Sequence, residues 1–270
     1  MNTNSNVYTI VYTTVVCVLV AAILAFVSQT LKTKQEANEK AETISQILTA
    51  AQFGEKSEWE KKGNDAILDF YKQNAKEAVI INLAGETVGE LDVKDAVIYT
   101  VPQLKEQNYN IKGESDAELP VYIFSNGTSV IPVYGAGLWG PVWGYIALNN
   151  DASTIAGAYF DHESETPGLG GKIKDDPSFR AQFSGKNIDF SDTKPFSIVK
   201  GGAPEGKTDA IDAITGATMT SKGLDEAINI WLGAYRNYLE QQKSKACEPV
   251  LEENTAEVIA TTENAEEETK

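Results

Sequence analysis

The feature that most constrains this chain is an uncharged apolar stretch near its N-terminus, VYTIVYTTVVCVLVAAILAFV at residues 7–27. A helix rises about 1.5 Å per residue, so a stretch of this length covers the roughly 30 Å of hydrocarbon in a bilayer. A cleaved signal peptide is one alternative, but no basic residue precedes the stretch and no small-residue cleavage pattern follows it. A buried core helix is another, although apolar residues on every side of the helix favour lipid. We therefore predict one transmembrane helix at residues 7–27, preceded by a short tail at residues 1–6.

Composition excludes several classes of function. The net charge is −16, from 23 Lys and Arg against 39 Asp and Glu, and a surface of that sign repels nucleic acid. The two cysteines, Cys17 and Cys247, lie far apart, which excludes a disulfide framework and a CxxC metal site. The only histidine is His162, so a multi-histidine metal centre is impossible. We expect no nucleic-acid partner and no metal site.

The charges beside the span leave its orientation open. Lys32 and Lys34 follow it, and the positive-inside rule would place the main body in the cytoplasm. Long domains that follow a span often escape this rule.

The rest of the chain predicts an α+β fold. Residues 28–57 form a stalk, helical over residues 35–51, and a second helix is expected at residues 58–76. Short β-branched and aromatic runs between turn residues predict strands at residues 78–83, 96–101, 119–124, 142–148 and 154–160. Asn149-Asn150-Asp151 would turn the last pair into a hairpin. A mostly antiparallel sheet with packed helices follows from this order.

The C-terminal part ends in a helix and a tail. Apolar residues recur every three or four positions from Leu224 to Tyr235, which predicts an amphipathic helix of about four turns against the sheet. Residues 241–270 are acidic and contain few large apolar groups, so we expect a disordered tail there. We therefore treat residues 58–118 as the N-terminal part of the soluble region and residues 119–240 as its functional domain.

Hydroxyl-bearing and small residues crowd the start of that amphipathic helix, in the run DAITGATMTS at residues 212–221. Helix N-termini present free N–H groups and a positive dipole end to phosphates. The alternative is a simple helix cap, for which Thr220 or Ser221 would suffice.

Residues 212–218 of this run resemble the covalent flavin attachment motif Asp-x-x-(Ser/Thr)-Gly-Ala-Thr. It occurs in a family of membrane flavoproteins that includes the B and C subunits of the Na+-translocating NADH:quinone oxidoreductase and the G subunit of the Rnf complex. In that family the last Thr is joined to the phosphate of FMN, so the resemblance implies FMN held by a phosphoester to Thr218. Gly216 and Ala217 would let the flavin and a separate flavin transferase approach the backbone. The transferase would recognise Asp212. The remaining members implied to bind the cofactor are Thr215, Thr220 and Ser221.

Two further segments carry the resemblance. Residues 162–171, HESETPGLGG, are similar to the His-x-Glu-Thr-Pro-Gly-Leu-Gly loop of these domains, which implies a flavin edge lined by Thr166, Gly168, Leu169 and Gly170. Gly137-Leu138-Trp139 is similar to a signature of the C subunits within this family, so Leu138 and Trp139 would form an apolar wall for the ring. Trp143 is either a second part of that wall or a core residue.

The resemblance, which covers residues 1 to about 240, implies an FMN-binding domain at residues 119–240 and an electron carrier that is not catalytic alone. NADH would be oxidised on another subunit, and the FMN here would pass electrons to the flavin of the B subunit and then to ubiquinone or menaquinone, coupled to Na+ export. Implied partners are the A, B, D, E and F subunits, a flavin transferase and the bacterial inner membrane, with the soluble domain in the periplasm. No residue of this chain would act as a catalytic acid or base, because the cofactor carries the redox chemistry.

Three alternatives stay open. One is the Rnf-type carrier, which would accompany a ferredoxin:NAD activity. Another is a colourless membrane-anchored binding module whose Thr-Gly-Ala-Thr run is only a helix cap. The last is an assembly subunit that has lost its flavin, although the intact Thr218 argues against it.

Overall fold

The computed structural model describes the backbone of residues 6–113 and 115–267. It describes side chains and their burial within these residues up to residue 246. The helices and strands follow one another along the chain in this order: α1 Asn6–Ala50, α2 Lys56–Lys62, α3 Asn64–Asn74, β1 Ala75–Ile81, β2 Thr87–Glu90, α4 Val101–Lys112, β3 Leu119–Phe124, β4 Ser129–Ala136, β5 Pro141–Leu148, β6 Ile155–His162, α5 Lys172–Asp175, α6 Pro177–Ala181, β7 Ser197–Val199, β8 Ala210–Asp212 and α7 Thr218–Glu267.

The long helix α1 joins the apolar N-terminal stretch to the folded body without a break. It contains an 18-residue window apolar enough to cross a membrane, and none of that window is buried. Its last turns differ, because every residue from Thr43 to Ala50 is buried. The helical spacing predicted for residues 35–51 is thus present, and the stalk ends inside the folded body.

Six strands form one antiparallel sheet in the order β2-β1-β3-β4-β5-β6, which confirms the predicted α+β class. The β5–β6 pair is the hairpin predicted around Asn149-Asn150-Asp151. A separate parallel pair, β7 and β8, leads into α7. Because β1 pairs with β3, residues 58–118 and 119–240 share one sheet. Residue 119 as the start of a flavin-binding unit stays a prediction.

Two predicted elements are wrong in detail. The helix at residues 58–76 is two helices, because Gly63 has φ of 80° between α2 and α3, and its last residues already belong to β1. Residues 96–101 are not a strand: Ala96 has φ of 50° and ends a turn, and the segment leads into α4. A capping box between Thr100 and Gln103 and a Pro in the first turn fix that helix start.

The sheet separates two apolar cores. On one face the end of α1 packs with α2 and α3 around Ile44, Trp59 and Tyr71. On the other face α7 covers β4, with Trp231 and Tyr235 fully buried. Apolar burial of this kind contributes roughly 25 cal/mol per Å².

Helix α7 approaches β4 at two glycines. A Cβ at Gly223 would lie 2.1 Å from the Ala136 carbonyl oxygen, and one at Gly135 would lie 2.5 Å from the Ala227 Cβ. The backbones therefore meet where neither glycine could carry a side chain. This contact fixes the position of the first turns of α7.

The backbone of α7 continues as a helix to Glu267, much further than the four turns predicted. The side chains beyond residue 246 and the backbone of residues 268–270 lie outside the described residues. The expected disorder of the acidic tail at residues 241–270 therefore stays a prediction.

Candidate functional site

A tight turn presents the residues between β8 and α7. The Ala217 amide donates to the Ile214 carbonyl over 3.1 Å, and Gly216 has φ of 82°. A type II turn needs such a positive φ at its third residue, which favours glycine. Thr215 and Gly216 are exposed at the tip, whereas Ala217 is buried beneath them.

Thr218 is the first residue of α7, and it is exposed. The first N–H groups of a helix have no intrahelical acceptor and carry the positive end of its dipole. The Thr218 hydroxyl thus lies beside free amide donors, a setting suited to a phosphate.

Thr220 and Ser221 do not cap this helix, so that alternative is wrong for both. They lie within its first turns and are buried, at 1% and 2% exposure. The Ser221 hydroxyl accepts a hydrogen bond from the Ile214 amide at 3.1 Å, and the Thr220 hydroxyl donates to the Glu165 carboxylate at 2.7 Å. Both side chains fasten the helix start to neighbouring segments.

Asp212 lies at the end of β8 and is exposed. Its Oδ1 accepts a hydrogen bond from the Ala203 amide at 2.7 Å, and its own amide donates to Gln182 Oε1 at 2.9 Å. It holds the preceding loop against the end of β8, and its side chain stays exposed.

The loop after β6 contains a second turn of the same kind. The Leu169 amide donates to the Thr166 carbonyl at 3.1 Å, and Gly168 has φ of 75°. Its Leu169 side chain reaches the first turn, because a Cβ on Gly216 would lie 3.0 Å from Leu169 Cδ2. The two sequence segments that were predicted to bind one ligand are therefore neighbours.

Glu165 joins all three predicted segments. Its Oε1 accepts hydrogen bonds from the Leu138 and Trp139 amides at 2.6 and 2.9 Å, and its Oε2 accepts from the Thr220 hydroxyl. The side chain is only 4% exposed. Hydrogen bonds to a charged group are stronger than neutral ones, so this carboxylate holds a turn, a loop and a helix together.

Glycines make room for this carboxylate. A Cβ on Gly137 would lie 2.4 Å from Glu165 Oε1, and one on Gly170 would lie 2.3 Å from Glu165 Oε2. Gly170 was predicted to line the ligand, whereas the structure shows it packed against Glu165. Sequence reasoning missed Glu165 as a functional residue because a Glu in a loop of this composition suggests a solvated turn.

His162 supports the same loop. Its Nδ1 accepts a hydrogen bond from the Glu165 amide at 3.1 Å. Its neighbour Asp161 is buried and forms an ion pair with Lys174 at 2.9 Å. The His162 side chain therefore helps to hold the backbone of the loop at Glu165.

Four large apolar side chains are exposed on the three segments that Glu165 joins. They are Leu138 at 50%, Trp139 at 66%, Leu169 at 44% and Met219 at 56%. Apolar groups clustered at a surface mark a binding site more often than scattered ones do. Trp143 is separate from them, because it packs against the core and lines another cavity.

The arrangement fits FMN in kind. Free amides at the start of α7 suit its phosphate, an accessible hydroxyl suits a phosphoester, and exposed apolar side chains suit a planar ring. No group of three or more His, Cys, Asp or Glu suited to a metal ion occurs within the described residues.

Comparison with known proteins identifies the same region. The FMN-binding domain matches residues 137–233, a range that contains all three segments. The C subunit of the Na(+)-translocating NADH-quinone reductase from Vibrio vulnificus is 42% identical over 118 residues, which are 42% of this chain and 46% of that protein. The match thus spans about half the length of this relative. The C subunit from Pseudomonas aeruginosa is 29% identical over 249 residues, 86% of this chain and 93% of that one.

Solved structures give longer matches. The C subunit of the Na(+)-translocating NADH-quinone reductase from Parabacteroides distasonis is 36% identical, with a TM-score of 0.62, over 77% of this chain and 96% of that chain. NqrC from Shewanella oneidensis is 26% identical, with a TM-score of 0.59, over 77% of this chain and 99% of that chain.

Proposed function

Because the chain belongs to the family of C subunits of the Na+-translocating NADH-quinone reductase, we propose that it is a membrane-anchored redox subunit that carries FMN on Thr218. It passes electrons within such a complex and does not oxidise NADH itself. The single observation that carries this proposal is that Thr218 is exposed at the start of α7, within one of the three segments that Glu165 joins.

Different residues of the chain hold different parts of the cofactor. The first amides of α7 bind the phosphate, and Thr218 supplies the oxygen of the phosphoester. Leu138, Trp139, Leu169 and Met219 contact the ring and exclude water from it. FMN, when bound, supplies the electron transfer, and the protein sets its position and surroundings.

The second turn lines the edge of the ring. Thr166 and Gly168 shape its backbone, and Gly170 keeps the loop close to Glu165. Asp212 is the exposed group that a flavin transferase recognises before attachment. Thr215, Gly216 and Ala217 provide the tight turn through which that enzyme reaches Thr218.

The proposed complex is a membrane assembly. The apolar part of α1 is long and apolar enough to cross a membrane, and we propose that this membrane is the bacterial inner membrane, with the folded body in the periplasm. The A, B, D, E and F subunits are the partners, and electrons leave toward the flavin of the B subunit and then quinone. If a reporter that works only in the cytoplasm is fused to the C-terminus and proves active, the periplasmic placement is contradicted.

The matched proteins favour this assembly over the Rnf alternative. Both relatives and both structures described above are named as C subunits of the Na+-translocating reductase or as NqrC. The flavin-free binding module is disfavoured, because the FMN-binding domain match covers every predicted segment.

The attachment residue is tested by substitution in cells that contain a flavin transferase. Thr218→Val removes the hydroxyl and keeps the shape, so the denatured protein should lose flavin fluorescence on a gel. Thr218→Ser keeps a hydroxyl and should retain part of the signal. Thr87→Val changes an exposed Thr on β2 and is the matched control, with full fluorescence expected. A fluorescent, denaturant-resistant Thr218→Val protein would refute attachment at this residue.

A further inference from the structure

The Glu165 carboxylate is buried without a cationic partner. The residue is 4% exposed, and none of the ion pairs in the described part of the chain includes it. The nearby His162 adds no positive charge, because its Nδ1 accepts a hydrogen bond from the Glu165 amide, and a ring nitrogen that accepts belongs to a neutral imidazole. The negative charge of Glu165 is therefore not neutralised by an opposite charge in contact with it.

Uncharged donors hold the carboxylate in place instead. Its Oε1 accepts from the Leu138 and Trp139 amides, and its Oε2 accepts from the Thr220 hydroxyl. An ionised carboxylate only accepts hydrogen bonds, so three donors suit that form. Thr220 is the third residue of α7, where the positive end of the helix dipole adds a partial charge. These dipoles stabilise the negative charge and leave it fixed in one place.

The fixed charge lies at the base of the side chains that are proposed to contact the flavin ring. Leu138 and Trp139, whose amides bind Oε1, are two of these residues. Leu169 is a third, and its neighbour Gly170 lies so close that a Cβ there would be 2.3 Å from Glu165 Oε2. The carboxylate thus touches the backbone from which the ring-contacting side chains extend.

Burial strengthens the effect of such a charge on its surroundings. Water and ions screen exposed charges, whereas the effective permittivity inside a protein is well below that of water. Reduction adds electrons to the ring of FMN. A fixed negative charge behind the ring-contacting residues makes that addition less favourable.

We propose that the Glu165 charge lowers the reduction potential of FMN carried on Thr218. This role is distinct from the hydrogen bonds of Glu165, which join the three segments. The inference rests on the proposed function, since it assumes FMN at Thr218.

The test removes the charge and keeps the hydrogen bonds. Glu165→Gln retains an oxygen for the Leu138 and Trp139 amides, and its NH₂ group can donate to the Thr220 hydroxyl. The flavin of the full chain, produced in cells with a flavin transferase, is titrated by spectroelectrochemistry. We expect Glu165→Gln to favour the reduced flavin about tenfold, a rise of about 59 mV for one electron. An unchanged or lower potential would overturn the proposal.

Glu163 provides the matched control, because it lies in the same loop and, among the described residues, also forms no ion pair. It is exposed, so water screens its charge. Glu163→Gln removes the same charge and should leave the potential nearly unchanged. A rise equal to that of Glu165→Gln would show that burial is not decisive and would overturn the proposal.

A second variant separates the charge from the hydrogen bonds. Glu165→Asp keeps the charge but is one methylene shorter, so it cannot reach all three donors equally well. Its potential should stay closer to that of the unsubstituted protein than the potential of Glu165→Gln does. A rise as large as that of Glu165→Gln would assign the effect to the hydrogen bonds and overturn the proposal.

Salt provides a further check on burial. The difference in potential between the unsubstituted protein and Glu165→Gln should persist from about 0.1 M to about 1 M NaCl, because a buried charge is little screened. Disappearance of the difference at high salt would contradict the proposal.

The protein mass separates this inference from the proposed function. An unsubstituted protein without FMN would overturn both. FMN on Thr218 with equal potentials in the unsubstituted protein and Glu165→Gln would overturn only the role of the Glu165 charge.

Discussion

Removal of the Glu165 carboxylate should loosen the candidate site and destabilise the fold. In Glu165→Ala the amides of Leu138 and Trp139 and the hydroxyl of Thr220 lose their acceptor. Each buried donor left unpaired costs about 1–3 kcal/mol. Thr220 is 1% exposed, whereas Leu138 and Trp139 are 50% and 66% exposed, so we count the full cost only for the Thr220 hydroxyl. We therefore expect a loss of about 1–3 kcal/mol in the free energy of unfolding.

Two measurements on the full chain in detergent test this expectation. Urea unfolding gives the change in stability, and hydrogen–deuterium exchange reports the Leu138 and Trp139 amides directly. A loss of local protection by about 2 kcal/mol corresponds to roughly thirtyfold faster exchange. Glu165→Gln is the control, because its amide oxygen can still accept from both amides while Thr220 rotates to accept from its NH₂ group. A Glu165→Ala protein that loses less than about 1 kcal/mol and keeps slow exchange at these amides would refute the clamp.

Substitutions at three other positions test separate parts of the structure. Gly223→Ala places a Cβ 2.1 Å from the Ala136 carbonyl and should cost about 1–3 kcal/mol in urea unfolding, whereas a neutral effect would contradict the close contact. Trp139→Ala should still allow FMN attachment but change the flavin emission and reduction potential. Unchanged emission and potential would contradict a contact between Trp139 and the flavin ring. Burial raises the pKa of Asp151, but hydrogen bonds from Thr154 and Ser153 outweigh it and leave the pKa below its usual range. The ionised Asp151 side chain stabilises the fold fully above the unfolded pKa of about 4, and this stabilisation is lost as the pH falls through the lower pKa of the folded state. The difference in unfolding free energy between the unsubstituted protein and Asp151→Asn should therefore shrink on acidification. A gap that stays constant from about pH 6 to about pH 2 would contradict this.

Local sequence signals predicted the elements that follow local rules. The strands near residues 119–124, 142–148 and 154–160 are dense in β-branched and aromatic residues, and each is close to an observed strand. The amphipathic spacing of α7 likewise predicted the face that packs on the sheet.

Strand β4 was missed because Pro132 and Gly135 interrupt its pattern. The sheet tolerates Pro132 because the pairing of β4 with β3 involves only Ser129 and Val130. Beyond Val130, β4 pairs on the β5 side, so the missing N–H of Pro132 leaves no β3 acceptor unmatched. Such a compensation depends on long-range pairing, which a local pattern does not contain.

In the candidate site, too, local motifs could be predicted and long-range contacts could not. The motif residues around Thr218 and Leu169 could be predicted from the resemblance, and the structure brings their turns together. The role of Glu165 could not, because it depends on contacts with residues 26, 27 and 55 positions away. The burial of the end of α1 could not be predicted either, since its spacing indicated only a helical stalk.

The most direct test of the central claim is the intact mass of the chain extracted from its native membrane, followed by fragment mapping around Thr218. We predict a gain equal to FMN minus one water, located on Thr218. An unmodified mass, in cells known to contain a working flavin transferase, would contradict it.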